Sequence, residues 1–81
     1  MVWLPQGLVA VKEFASVDGF HRVAIFRRQN GLFGYAQERL VKEADTTYWE
    51  PSGESGIYET AEAAEQSARS EIAWLREKNS N

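Results

Sequence analysis

The chain has no cysteine, one histidine and two prolines among its 81 residues, and it contains no long apolar run. Without cysteine there can be no disulfide framework, thiolate metal site or cysteine nucleophile. A lone histidine (His21), with no carboxylate at ligand spacing, argues against a zinc site and against a Ser-His-Asp triad. The apolar runs are too short to cross a membrane, and residues 1–5 lack the basic start of a secretory signal. We therefore expect a cytoplasmic protein with no metal, cofactor, membrane partner or enzymatic activity.

The residues that are present favour a single globular domain. Hydrophobic residues make up 43% of the chain and charged residues 26%, which is ordinary for a folded domain. The net charge of −3 is unevenly distributed, since residues 1–42 carry six Lys/Arg against three acids and residues 43–81 carry three against nine. We expect one domain over residues 1–78 and a frayed tail at 79–81. The difference in charge between the basic sheet and the acidic remainder is more informative about partners than the net charge.

The clearest structural signal is Asn30-Gly31, which separates two runs rich in β-forming residues. Asn-Gly is the preferred pair for a two-residue type I′ turn, because both central residues of that turn need φ > 0. A loop of two residues fixes the register of the hairpin. It would place Phe26 opposite Tyr35 and Arg22 opposite Arg39.

Strict alternation along the two strands assigns the hairpin residues to two faces. One face is aliphatic or small and suits a covering helix; it carries Val23, Ile25, Leu32, Gly34, Ala36 and Leu40. The other face combines aromatic rings with arginines. It is our candidate binding surface, formed by Arg22, Phe26, Arg28, Phe33, Tyr35 and Arg39.

A further strand is predicted before this hairpin. Residues 8–17 are rich in β-branched and apolar side chains and favour a strand, with a short helix at 8–15 as the alternative. Asp18-Gly19 is a second tight-turn signal. A turn at that point would pair Phe14 with Val23 and Val11 with Phe26.

After the hairpin the chain becomes polar and then regains β-forming residues. Residues 47–50 (Thr-Tyr-Trp-Glu) predict a short third strand. The next six residues, 51–56, begin with proline and contain two glycines, a composition typical of a loop.

A C-terminal helix is predicted over residues 61–78. Thr60 is suited to the N-cap position, where its hydroxyl can accept a hydrogen bond from a free backbone N–H. Trp74 lies outside the apolar stripe, and we expect it to cover the Trp3-Leu4 segment or to lie in an interface. The stripe itself consists of Ala61, Ala64, Ala68, Ile72 and Leu75.

These elements define an α+β fold, an antiparallel sheet of three to four strands packed against one C-terminal helix. The arrangement resembles plant ethylene-response-factor DNA-binding domains and integrase amino-terminal domains. In the plant domains a Gly-(aromatic or aliphatic)-aromatic-x-Thr-Ala-Glu-x-Ala run introduces the helix, and the matching residues here are Gly56, Ile57, Tyr58, Thr60, Ala61, Glu62 and Ala64. The resemblance implies a sheet face that enters the DNA major groove with Arg22, Arg28 and Arg39. The chain is also similar to small bacterial proteins of this arrangement, which implies no function.

The candidate binding surface has three interpretations. We expect a small non-enzymatic binding module that engages a protein partner, or a second copy of itself in a dimer, through this exposed face. The alternative is nucleic-acid binding, with the arginines on phosphates and the rings stacked on bases. The third interpretation is a solvated face whose arginines lie on aromatic rings and pair with Glu13 or Glu50.

Overall fold

In the part of the chain that the structure describes, four strands form one antiparallel sheet and two short helices follow it. The structure is a computed structural model that describes residues 7–78, with the backbone alone at 54, 55, 77 and 78. The elements are β1 (Val9–Ala15), β2 (His21–Arg27), β3 (Phe33–Glu43), β4 (Thr46–Tyr58), α1 (Ala61–Glu71) and α2 (Ala73–Lys78), and the strand order is β1-β2-β3-β4. An antiparallel sheet with a C-terminal helix is thus confirmed, and β1 is a strand rather than a helix. The predictions for the Trp3-Leu4 segment and for the tail at 79–81 concern residues outside the described part of the chain.

The β2–β3 hairpin turns where Asn30-Gly31 predicts, but its loop has three residues instead of two. Arg28 N–H donates to the Leu32 carbonyl at 2.7 Å, and Gly31 N–H donates to the Arg28 carbonyl at 3.0 Å. Gly31 alone in this loop has a positive φ, +87°. A type I turn followed by a left-handed glycine has this geometry. The predicted two-residue type I′ turn is therefore wrong.

The longer loop shifts the β2–β3 register by one residue. Ile25 lies opposite Tyr35, and Arg22 lies opposite Glu38. The predicted pairs of Phe26 with Tyr35 and of Arg22 with Arg39 are therefore wrong. Side chains alternate between the two faces with a period of two. When β2 is taken as the reference, every β3 side chain therefore lies on the face opposite to the predicted one.

The β1–β2 hairpin keeps most of its predicted register. Phe14 lies opposite Val23, as predicted, but Ala10 rather than Val11 lies opposite Phe26. The difference arises at a β-bulge between residues 10 and 12, which leaves Val11 as the extra residue.

Strand β4 is much longer than the predicted strand at 47–50. It runs through the segment 51–56, so the predicted loop is wrong. Pairing with β3 overrides the local composition, with register shifts near Pro51 and near Gly56 that absorb these residues. Proline is tolerated there because β4 is an edge strand with a neighbouring strand on one side only, so that the missing backbone N–H need not remove a hydrogen bond of the sheet.

Helix α1 covers one side of the sheet, which we call the helix face; the opposite side is the second face. Thr60 caps α1 as predicted, since its hydroxyl accepts a hydrogen bond from Ala63 N–H at 3.0 Å. The single helix predicted over residues 61–78 is interrupted at Ile72, whose φ and ψ are extended, and α2 follows. The core between helix and sheet comprises Val23, Ile25, Tyr35, Ala64, Ala68, Ile72 and Leu75. The predicted apolar stripe is confirmed, but Gly34 and Ala36 pair with Phe26 and Ala24 and lie on the second face.

Candidate interaction surface

The shifted register divides the six predicted binding residues between the two faces of the sheet. Arg22, Phe26 and Arg28 share the second face, whereas Phe33, Tyr35 and Arg39 belong to the helix face. Alternation within each strand was predicted correctly, and the error lies in how the strands are aligned. The structure therefore does not bring the six residues together as one surface.

Tyr35 is part of the core instead of a binding surface. Its side chain is 1% exposed, and its hydroxyl donates a hydrogen bond to Glu71 Oε1 on α1 at 2.8 Å. Phe33 is partly buried against the same core. Arg39 is exposed, but its Nε donates to Glu50 Oε2 at 2.7 Å, which is one of the two ion pairs that the solvated interpretation anticipated. These three residues are poorly placed to form a binding surface with Arg22.

Phe26 lies on the second face but is also inaccessible. The ring is 0% exposed, and the Arg28 guanidinium lies 5.0 Å from its centroid. Arg28 Nη2 donates to the Gly56 carbonyl at 3.3 Å, which ties this guanidinium to β4. The two side chains thus stabilise one end of the second face and offer no ring for stacking.

The other end of the second face carries a cluster that we call the aromatic patch, formed by Phe20, Leu40 and Trp49. The three residues lie in one row, because Leu40 N–H donates to the Phe20 carbonyl at 2.8 Å and Leu40 pairs with Trp49 across β3–β4. Phe20 is 40% exposed, and the other two are half-buried. Sequence reasoning placed Phe20 on this face but assigned Leu40 to the covered one. The β-register was the missing information.

Two cations flank the aromatic patch. The Arg22 guanidinium carbon lies 3.9 Å from the centroid of the Trp49 ring, and Lys42 Nζ lies 5.4 Å from that of Phe20. Arg22 Nε also donates to Glu38 Oε1 at 2.8 Å. The side chains of this pair are only 16% and 7% exposed, so Arg22 is held in one orientation on the tryptophan.

Ion pairing reduces the basic character predicted for the sheet. The carboxylates of Glu38 and Glu50 neutralise Arg22 and Arg39. On the helix side, Glu65 accepts hydrogen bonds from Arg69 at 2.7 Å and from Lys12 at 3.1 Å. Partial burial alone would raise the pKa of Glu65, but these hydrogen bonds and charges hold its pKa below the ordinary value.

His21 stacks on Trp74 of α2, with ring centroids 6.4 Å apart and planes inclined by 28°. This contact accounts for a tryptophan that lies outside the apolar stripe of the helix. Among the side chains that the structure describes, no three from His, Asp or Glu lie close enough together to hold a metal ion. No helix within the same residues is both long and apolar enough to span a membrane.

Comparisons of the chain with protein-family models, with curated proteins and with solved structures find no significant match. The resemblance of the segment around Thr60 to plant and integrase DNA-binding domains therefore stays a hypothesis. Function must be inferred from the chemistry of the surface itself.

Proposed function

We propose that this chain is a small binding module that engages a protein partner through the aromatic patch on the second face of the sheet. The observation that carries the proposal is the row of Phe20, Leu40 and Trp49 on the side of the sheet opposite α1, with one ring 40% exposed. Clusters of exposed apolar side chains rimmed by polar groups are characteristic of protein-protein contacts. Tryptophan and arginine are the residues most enriched among those that dominate binding energy.

The geometry of Arg22 supports the proposal in a second way. Its guanidinium is already fixed by Trp49 on one side and Glu38 on the other. Binding of a partner to this pair therefore costs little conformational entropy of the Arg22 side chain, which makes the net free energy of association more favourable. The patch also leaves Lys42 exposed at its margin, where it can select for an acidic residue on the partner.

Nucleic-acid binding is the second candidate, and the cation-aromatic pairs favour it. Base stacking on Phe20 or Trp49, next to the Lys42 charge, is the chemistry of single-strand binding platforms. The ion pairs weigh against this candidate, since Glu38 and Glu50 occupy two of the three arginines expected to hold phosphates, Arg22 and Arg39. The net charge of −3 opposes approach to a polyanion as well.

Site-specific photocrosslinking tests the proposal. A photoreactive phenylalanine analogue at Phe20 is expected to form a discrete protein adduct in cells, and the adduct should disappear when Trp49→Ser is added. Ile57 is a matched control, because it is 70% exposed and lies at the far end of β4. Identical adducts from positions 20 and 57, or none from position 20, would refute a patch-specific partner.

Two further measurements separate the alternatives. Sedimentation up to about 1 mM protein detects self-association of the affinity that a small patch could give, and a partner that is a second copy would appear as a dimer lost in Phe20→Ser. Titration with a single-stranded oligonucleotide at low salt tests the second candidate. Salt-sensitive shifts of the Trp49 indole resonance would favour nucleic acid over protein.

A further inference from the structure

The outer edge of β4 over residues 46–50 is the stretch of sheet edge best suited to pair with another strand. The sheet has two edge strands, β1 and β4, and in the described part of the chain each has a neighbouring strand on one side only. An unpaired edge presents a row of backbone N–H and C=O groups that can bind a further strand. The two edges differ in how far their sequence and geometry prevent such pairing.

Most of the exposed edge is protected against pairing. In β1 a β-bulge leaves Val11 as an extra residue, and the charged residues Lys12 and Glu13 follow directly. Bulges and charged side chains are common means by which edge strands avoid a further partner. The second half of β4 is protected in a similar way, by Pro51 and by the register shifts near this proline and near Gly56.

Residues 46–50 carry none of these protective features. They pair with β3 without a register shift. Residues 46–49 are the uncharged β-formers Thr-Thr-Tyr-Trp, and the charge of Glu50 is neutralised by Arg39. Tyr48 is 39% exposed. This segment is therefore a regular edge without a free charge.

The backbone hydrogen bonds of β3 show which groups of this edge are free. Leu40 N–H donates to the Phe20 carbonyl at 2.8 Å, so the backbone groups of Leu40 point towards β2 and away from β4. Leu40 and Trp49 therefore form a non-hydrogen-bonded pair, in which the N–H and C=O of Trp49 point away from β3. The pattern alternates along an antiparallel ladder, so the same holds for Thr47, which lies opposite Lys42. The free edge thus presents the backbone groups of Thr47 and Trp49.

We propose that this edge pairs antiparallel with the same edge of a second copy of the chain, with Tyr48 opposite Tyr48 at the two-fold axis. In this register Thr47 of each chain lies opposite Trp49 of the other. Each such pair exchanges two hydrogen bonds through the backbone groups that are free in the monomer. A shift by two residues, the smallest that keeps each side chain on its face, is less favourable. It places Thr47 opposite Pro51, which has no N–H, or Trp49 opposite the turn residue Asp45.

The side chains agree with this register. On the second face each Thr47 would lie beside the Trp49 ring of the other copy, and on the helix face the two Tyr48 rings would lie opposite each other. Aromatic–β-branched and aromatic–aromatic pairs are favourable neighbours across antiparallel strands. Thr46 would lie opposite Glu50, so like charges do not face each other along the paired segment. The edge is therefore complementary to itself.

The proposed dimer has one continuous sheet with four strands from each copy. The two-fold axis of such an antiparallel pair is perpendicular to the sheet, and it brings the two aromatic patches next to each other on the same side. The contacts that form the dimer are backbone hydrogen bonds of β4. This proposal therefore does not depend on the proposed function.

Sedimentation equilibrium of the whole chain up to about 1 mM tests the pairing. We expect the weight-average mass to rise towards that of two chains, and the mass of one chain throughout this range overturns the proposal. Thr47→Pro should raise the Kd of the dimer at least about tenfold, because it removes an outward N–H without removing a bond to β3. Tyr48→Lys should have a similar effect, because it places two like charges at the axis.

Two control variants identify the surface that forms the dimer. Val17→Lys matches the charge change of Tyr48→Lys, but Val17 is 94% exposed in the β1–β2 turn, separated from β4 by β2 and β3. It should leave the Kd unchanged, and equal losses in the two lysine variants would refute the proposal. Phe20→Ser should also leave the Kd unchanged. A dimer that Phe20→Ser dissociates and Thr47→Pro does not is formed through the aromatic patch, which overturns the edge pairing but not the proposed function.

Hydrogen exchange of the unmodified chain gives a second readout that does not depend on the folding of any variant. The amide protons of Thr47 and Trp49 should exchange more slowly as the protein concentration rises, because they are hydrogen-bonded only in the dimer. The Tyr48 amide points towards β3 in both states and serves as the internal control. Exchange of Thr47 and Trp49 that stays independent of concentration, in samples that sediment as dimers, would contradict the proposal.

Discussion

The guanidinium of Arg22 lies 3.9 Å from the ring centroid of Trp49, while its Nε donates to the buried carboxylate of Glu38. One side chain thereby joins strands β2, β3 and β4 across the second face. The Trp49 ring covers the Arg22 guanidinium, and the Glu38 carboxylate compensates the positive charge of Arg22. This arrangement determines both the stability of the second face and the surface that it offers to a partner.

Removal of Glu38 should leave the Arg22 charge partly buried and uncompensated. We expect Glu38→Ala to lower the free energy of unfolding by about 3 kcal/mol, as is typical when one member of a buried ion pair is lost. Glu50→Ala removes the partner of the more exposed Arg39 and should cost about 0.5 kcal/mol. Urea denaturation measures both, and equal costs would contradict the buried role of Glu38.

Gly31 should be sensitive to a side chain purely through its backbone. Its φ is +87°, and no heavy atom lies within 4 Å of a Cβ built there. We expect Gly31→Ala to cost about 1 kcal/mol, because an L-residue is strained in the left-handed region. Gly31→Val should cost more. Unchanged thermal stability in both variants would place the turn elsewhere.

Ala44 offers the reverse substitution. It has a φ of +53° in the β3–β4 turn, a conformation that glycine adopts without strain. We expect Ala44→Gly to raise the free energy of unfolding by about 0.5 kcal/mol, since relief of strain exceeds the added entropy of the unfolded chain. A loss of stability, measured in the same urea series as Gly31→Ala, would contradict the left-handed geometry.

Acid sensitivity should depend on Glu65. Arg69 and Lys12 hold its folded-state pKa below the ordinary 4.5, so the carboxylate stabilises the fold above that value. The contribution is lost as the pH falls through the lowered pKa. We expect Glu65→Gln to flatten the loss of stability below about pH 4.5, whereas Glu62→Gln, on the exposed side of α1, leaves it unchanged. Parallel pH profiles of the parent and Glu65→Gln would refute this coupling.

The helix could be predicted from the sequence because its signals are local. Thr60 caps it, and the apolar stripe has the helical period. Neither signal depends on which face of the sheet the helix covers. The position of the β2–β3 turn was predictable for the same reason. Its length was not, since Asn30 is compatible with both negative and positive φ and only the positive value gives the two-residue turn.

That single ambiguity explains most of the error in the candidate site. Alternation within a strand is a local property, so Arg22, Phe26 and Arg28 share a face as predicted. The alignment of β2 with β3 depends on the loop, so Phe33 and Tyr35 were assigned to the wrong face. The continuation of β4 through residues 51–56 could likewise not be predicted from local sequence signals, because pairing with β3 overrides the preference of proline and glycine for loops.

The placement of Tyr35 against α1, with Phe20, Leu40 and Trp49 on the opposite face, is the claim on which the proposed function depends. Nuclear Overhauser contacts of the Tyr35 ring protons test it directly. We expect contacts from this ring to the Ala68 and Ile72 methyl groups, and none to the Phe26 ring. Contacts from Tyr35 to the Phe26 ring, without any to α1, would restore the two-residue register and contradict the aromatic patch.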